Sequence, residues 1–239
     1  MYVSAHETTQ AEYEKYTNYG GSVKPDDSYG KGDDYPVYDV SYYDALVYCN
    51  LRSKAEGFTP CYSMNDETDV SRWEGIVSSG GKYCGPAISA LSLDAWNSIS
   101  CNFDANGYRL LTEAEWEYLA RSDGQNSVTE YKYSGSDDID DVAWYSENSS
   151  NKLHEVKKLS PNLARLYDMS GNVREWCYDW YGTINKTSGD IGATSGTARV
   201  SRGGSVAELA AKCEVNYRGR TTPSLRYPDL GFRVVRTAE

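Results

Sequence analysis

Residues 161–182 constrain this chain more than any other stretch. They gather Tyr167, Trp176, Tyr178, Trp180 and Tyr181 around a Gly-Asn turn at Gly171 and Asn172, with Asp168 and Glu175 on either side. A large ring gains roughly 1.5–3 kcal/mol by leaving water, so a segment this aromatic cannot float in solvent. It is expected to be an irregular segment held inside the domain. Buried irregular backbone needs hydrogen-bond partners. Asp168, Asn172 and Glu175 are residue types that can supply them, or hold a cation.

With 239 residues and no Pro/Gly/Ser linker or charge run dividing them, the chain is expected to form a single domain over 1–239. Apolar residues at 39% and charged ones at 25% describe an ordinary soluble globule. No apolar run approaches the roughly 20 residues of a membrane span, so none is expected. A net charge of −11 speaks against nucleic acid as a partner, which needs a basic face. Six cysteines (Cys49, Cys61, Cys84, Cys101, Cys177, Cys213) show no CxxC or other zinc spacing and are read mainly as small buried hydrophobes, with one or two disulfides as the alternative. Tyrosine, at 22 residues, exceeds what a core needs and suits a recognition surface. Met1–His6 reads as a strand leading into a helix, with no charged n-region or apolar h-region. A surface location therefore calls for an export or lipoprotein segment ahead of these residues, the cytoplasm being the alternative.

Local signals place the elements. Thr9-Gln10-Ala11-Glu12 has the spacing of a capping box and opens a helix to about Tyr16. Ser41 caps a second helix, with Ala45, Cys49 and Arg52 at helical spacing and Gly57 just past its end. Thr112-Glu113-Ala114-Glu115 caps a third, whose buried stripe is Trp116, Leu119 and Ala120. Strands are expected at 60–64, 199–202 and 231–236, the last alternating Phe232 and Val234 against Arg233 and Val235. Gly80-Gly81 and Asn106-Gly107 read as turns, and Trp73, Ile88, Leu91, Leu93 and Trp96 suggest that an insert at about 65–101 is packed. Two or three helices, short antiparallel strands and much coil make an α+β domain.

Four stretches carry a resemblance in collinear order. They are Glu7-Thr8-Thr9-Gln10-Ala11-Glu12-Tyr13, the run from Gly107 to Tyr118, the Leu-Tyr-Asp-Met-x-Gly-Asn-Val-x-Glu-Trp run from Leu166 to Trp176, and Arg202-Gly203-Gly204-Ser205 followed by Leu230-Gly231-Phe232-Arg233. The chain resembles the formylglycine-generating enzyme (sulfatase-modifying factor) family. That resemblance implies a C-type-lectin-like fold, with small twisted antiparallel sheets under long loops. Active members oxidise a sulfatase cysteine and depend on two cysteines that bind copper. Aligned on Arg218 to Pro223, those positions fall on Ala210 and Val215, with Cys213 alone between them. Members that form carbon–sulfur bonds on iron need three histidines, and this chain has only His6 and His154, both read as structural or solvent-facing. Catalysis is therefore expected to be lost. The rival readings are a copper-dependent oxidase acting on sulfatases and a catalytically dead structural paralogue with a fixed partner.

No cofactor is required on this reading. The resemblance does imply a structural Ca²⁺ held by Asp168 and Glu175 through carboxylates and by Gly171 and Val173 through carbonyls, which matches a hard cation's demand for oxygen. Residues 205–230 keep scaffold positions while the rest depart from the family, which resembles the variable proteins of diversity-generating retroelements, treponemal members among them. Their rewriting of Asn-type codons cannot produce Lys, Glu, Gln, Met or Trp, and none of these occurs from Asn216 to Leu230. The displayed positions are then Val206, Ala207, Leu209, Ala211, Tyr217, Gly219, Arg220, Thr221, Thr222, Ser224, Leu225, Tyr227, Pro228 and Asp229. Tyr217, Arg220 and Tyr227 are expected to carry affinity for a protein or other surface ligand. Arg202, Arg218, Arg226 and Arg233 are expected to hold the loops from beneath.

Overall fold

The chain begins with β1 (Tyr2–Val3) and turns into α1 (Gln10–Tyr16) at a capping box in which Thr9 and Glu12 satisfy each other's amides. The computed structural model describes residues 1–19, 24–86, 93–184 and 192–238. α2 (Tyr42–Ala55) starts at a second box, Ser41 with Asp44, and is buried on every side from Tyr42 to Asn50. A helix apolar all round is one that runs through a core. Gly57, at φ 82°, ends it as expected.

β2 (Tyr62–Ser63) leads into the insert. There the β3 (Val77–Ser79) and β4 (Lys82–Cys84) hairpin turns at Gly80 and Gly81, whose φ values of 58° and 77° only glycine adopts freely. A short α3 (Asp94–Asn97), absent from the sequence expectation, precedes β5 (Ser100–Cys101), which pairs back with β2. Trp73 and Trp96 meet edge-on at 5.6 Å, and Trp96 meets Tyr43 of α2 at 5.4 Å. The insert therefore completes the main core. Ile88 and Leu91, expected in the same packing, lie outside the described residues.

β6 (Tyr108–Leu110) runs into α4 (Glu113–Arg121), which opens at the third box, Thr112 with Glu115, and buries Trp116, Leu119 and Ala120. The expected coil through 161–182 is only half right. Residues 174–180 form β7 (Arg174–Trp180), the longest strand among the described residues. Both faces of β7 are covered, Trp176 joining the α2 core and Cys177 joining a second core with Trp116, Leu119, Met169, Val200 and Val235, so the alternation that marks a half-buried strand is missing.

β8 (Arg199–Arg202), β9 (Gly219–Thr221), β10 (Leu230–Gly231) and β11 (Val234–Arg236) complete the chain. One sheet has the order β10-β7-β8-β9 and another β1-β11-β6. The expected strand over 231–236 is thus two strands in two sheets, and β10 lies parallel to β7, so the sheets are not antiparallel throughout. Phe232 and Arg233 bridge the two sheets and are both buried, Phe232 against Tyr48 at 5.2 Å and Arg233 against Glu175 at 2.8 Å. No helix among the described residues is long and apolar enough to cross a membrane.

Candidate functional site

Period-two alternation along β7 sends Glu175 to one face and Arg174 to the other, and two charged centres follow. On the inner face, Glu175 receives Arg233 Nη2 at 2.8 Å on Oε1 and Trp116 Nε1 at 2.8 Å on Oε2. Arg233 also donates to the carbonyls of Ser4 at 3.0 Å and Tyr167 at 2.6 Å. Glu7 lies alongside, accepting from Asn172 Nδ2 at 2.7 Å and the Val173 amide at 2.9 Å, and Asp168 accepts the Lys157 amide at 2.9 Å. Burial, reinforced by the Asp168 and Glu175 carboxylates, pushes the Glu7 carboxyl well above the usual range. Burial also raises Asp168. The expectation that these side chains serve buried backbone holds for Asp168, through the Lys157 amide, and for Asn172, whose Oδ1 accepts the His154 amide at 3.1 Å, whereas Glu175 bonds the side chains of Arg233 and Trp116 instead.

The calcium set does not fit. Of the two expected carboxylate ligands, Glu175 is already paired with the Arg233 guanidinium and Asp168 accepts the Lys157 amide on Oδ2. Among the described residues no cluster of His, Cys, Asp or Glu is disposed to hold a metal ion. Addition of calcium or of a chelator is accordingly expected to leave the melting temperature unchanged, which differential scanning calorimetry reads directly. A rise of several degrees with calcium would restore the ion.

On the outer face Arg174 binds Asp229 through Nη2 at 2.6 Å and Nε at 3.2 Å, reaches Thr221 Oγ1 at 3.3 Å, and lies under the Tyr227 ring at 5.3 Å. Asp229 also accepts Ser205 Oγ at 2.7 Å. The four arginines expected to hold the loops do so. Arg202 donates to the carbonyls of Tyr217 at 2.5 Å and Val215 at 2.9 Å and pairs with Glu117 at 2.5 Å. Arg218 grips Glu113 through Nε at 2.6 Å and Nη2 at 2.7 Å, and Arg226 grips Asp44 at 2.9 and 3.2 Å. From below, the Asp39 amide binds the Tyr227 carbonyl and the Tyr42 amide binds that of Pro223, each at 3.0 Å.

The expected display positions divide. Leu209, Leu225 and Tyr227 are 64%, 40% and 39% exposed. Ala207, Ala211, Arg220 and Thr222 are also exposed, and Tyr217 and Pro228 are half-buried. Five others belong to the scaffold instead. Val206 is buried with Tyr38, Leu153 and Val173, while Thr221 and Ser224 are buried polar residues. Asp229 is held by Arg174, and a Cβ on Gly219 would stand 2.6 Å from Ser201 Oγ. Arg174 was missed as a contributor because the strand that sets it on the face opposite Glu175 was itself read as irregular. Arg199, stacked 3.6 Å from the Trp180 ring centroid, had no sequence signal to mark it.

No thiol pair stands at the family's copper positions. Ala210 is half-buried, Val215 is in the second core, and the lone Cys213 is buried, which lifts its thiol to about 12. All six cysteines are free, five of them buried, and none forms a disulfide. His154 is stacked on Trp144 at 3.8 Å, and His6 bonds the Glu7 carbonyl at 2.7 Å, so both histidines are structural.

Asp39, at the base of the display segment, has φ 54°, and burial raises its carboxyl to about 6 against the pull of Arg226. A raised carboxyl contributes stability below its unfolded value and loses it as pH climbs through the folded one. Asp39→Asn, which tolerates the same φ, is therefore expected to gain a few degrees in Tm over the parent between about pH 4 and pH 7. A pH-independent difference in melting curves would contradict this.

Residues 1–238 match the family described as Sulfatase-modifying factor enzyme 1-like domain. The chaperone protein LppX of Paenibacillus barcinonensis is 34% identical over 99% of this chain and 80% of its own length. The formylglycine-generating enzyme of Streptomyces coelicolor is 31% identical over 61% of this chain and 52% of its own length. The chain thus spans about half of that enzyme. Among solved structures, Treponema denticola variable protein 1 superposes with a TM-score of 0.73 at 34% identity, covering 97% of this chain and 82% of the other. CarF superposes at 0.71 and 25% identity, covering 99% and 86%. The four collinear motifs, the small sheets under long loops and these similarities agree, and the chain belongs to the sulfatase-modifying factor enzyme 1-like domain family.

Proposed function

We propose that this protein is a non-catalytic ligand-binding domain that displays exchangeable side chains on a rigid lectin-like scaffold, in the manner of a retroelement-diversified variable protein. One observation carries the reading. The side chains of Tyr217, Arg220, Thr222 and Tyr227 make no hydrogen bond to the rest of the described chain, while the backbone beside them is fixed by Arg202, Asp39 and Tyr42. Shape and recognition are thereby separated, since side chains that do not support the fold can change without altering it. Support also comes from the similarity to the treponemal variable protein and from Ala210 and Val215, which cannot bind copper as thiolates do. The proposal extends to location: a surface rewritten to meet new ligands is of use where those ligands are, at or outside the cell surface.

The test is a display library randomised at Ala207, Leu209, Ala211, Tyr217, Arg220, Thr222, Leu225, Tyr227 and Pro228 and selected against an unrelated protein. Folded, specific binders are expected from it. The parent, supplied with copper and a sulfatase peptide, is expected to form no formylglycine. Turnover above background would replace this reading with the oxidase one.

A further inference from the structure

Beside the displayed side chains runs a furrow made of three adjoining hollows. The first, about 320 Å³, is bounded by Asn97, Tyr178, Asp179, Trp180 and Arg199. The second, about 260 Å³, shares Asn97 and Trp180 with it and adds Thr222 and Pro223. The third, about 330 Å³, shares Thr197 and Thr222 with the second and reaches Tyr181 and Arg220. Aromatic walls with a few convergent polar groups are what ligand sites are made of.

The charges in this furrow are unlike those around it. Of the seven arginines from Arg174 to Arg233, five are ion-paired: with Asp229, Glu113 and Glu117, Glu113, Asp44 and Glu175 in turn. The two with no carboxylate partner among the described residues, Arg199 and Arg220, both line the furrow. Arg199 is 3% exposed, lies 4.4 Å from the Tyr42 ring centroid, donates Nη1 to the Tyr178 carbonyl at 2.5 Å, and keeps a buried Nε without an acceptor. A buried guanidinium without a counter-charge is costly, and stacking on rings offsets only part of that. Asp179, the carboxylate in the same hollow, is not the missing partner. Its two oxygens accept the amides of Glu113 and Gly192, each at 2.6 Å.

We propose that this furrow binds an acidic, extended segment of a partner protein, one carboxylate docking on Arg199 and a second on Arg220. The inference rests on the display reading above and deepens it, since Arg199 and the displayed Arg220 supply an anion anchor and the other displayed side chains read what flanks it. A net charge of −11 repels an acidic protein as a whole, so attraction is confined to this furrow and selects a short acidic segment among neutral residues. β9 is the edge of its sheet, and an extended chain suits such an edge.

The probes are a fluorescein-labelled hexapeptide carrying two glutamates, its glutamine counterpart, and glutarate as competitor. Anisotropy titration is expected to show the glutamate peptide binding at least about tenfold more tightly than the glutamine one. The same titration followed by NMR is expected to move the Nε–H signal of Arg199. Arg220→Gln, an exposed change that leaves folding intact, is expected to reduce the preference severalfold, as is Arg199→Lys. If Arg199→Lys does not fold, the Nε–H signal of the parent decides. Equal affinity for the two peptides, or an unmoved Nε–H, overturns the proposal. Glutarate competing as well as the peptide overturns the choice of a peptide. In the parent, equal affinity for the two peptides overturns only the furrow, whereas a library yielding no ligand overturns the display reading.

Discussion

Arg233→Met is expected to destabilise the protein by about 3–5 kcal/mol, the cost of leaving a buried charge without its partner. Arg233 and Glu175 are essentially excluded from solvent, and Glu7 and Asp168 stand within the same low-dielectric region. With the guanidinium gone, Glu175 keeps only the Trp116 donor, and three carboxylates face one another with no cation among them. Glu7 and Asp168, already raised by burial, lose the charge that pulls their carboxyls down and are driven further toward protonation. Carboxyls raised in the folded state favour it below their unfolded values and lose that contribution as pH rises. The loss caused by Arg233→Met should therefore be larger at about pH 8 than at about pH 5. Urea unfolding at the two pH values measures it, and a loss under about 1 kcal/mol at both would contradict the central role given to this pair. Pairing the change with Glu175→Gln should recover part of the stability, because the double variant removes both charges.

The second large effect is expected at Arg202. Its side chain is wholly buried over the Trp116 ring at 5.0 Å and binds two carbonyls of the display segment as well as Glu117. Arg202→Met keeps most of the packing but frees those groups, at a cost of about 3 kcal/mol. The loss should be local in its consequences. The Val215 amide, bonded to Lys132 at 3.0 Å, and the Tyr217 amide, bonded to Glu214 at 3.0 Å, are expected to lose most of their hydrogen-exchange protection. Arg220→Ala, on the exposed side of the same segment, should stay within about 0.5 kcal/mol of the parent. Similar protection at Val215 and Tyr217 in parent and Arg202 variant would show that the loop does not hang on this arginine.

What the sequence made legible was local. The three capping boxes lie within four residues each, so a hydroxyl and a carboxylate at fixed spacing are enough to place the starts of α1, α2 and α4. β7 was missed because it is covered on both faces and so lacks the alternation of a half-buried strand, while Arg174, Glu175 and Asp179 deny it the apolar run of a buried one. Glu175 looked like a cation ligand because Arg233 lies 58 positions away, and only the crossing between two sheets brings them together. The same crossing explains why Phe232 and Arg233 fail to alternate between core and solvent. Within the display segment, residue type did not separate Thr222, exposed, from Thr221, buried beneath Arg174, since Thr221 is the last residue of β9 and Thr222 lies just past it. That distinction is set by the pairing of β9 with β8.

The central claim is that the shape of the display segment is independent of the side chains it shows. It is tested by replacing Leu209, Tyr217, Arg220, Thr222, Leu225 and Tyr227 together with serine, then measuring Tm and amide exchange across 203–230. A Tm within about 5 °C of the parent and unchanged protection of the backbone are the predicted result. A collapse of Tm by about 15 °C or more, or general loss of protection in that segment, would mean that the exposed side chains build the surface rather than decorate it.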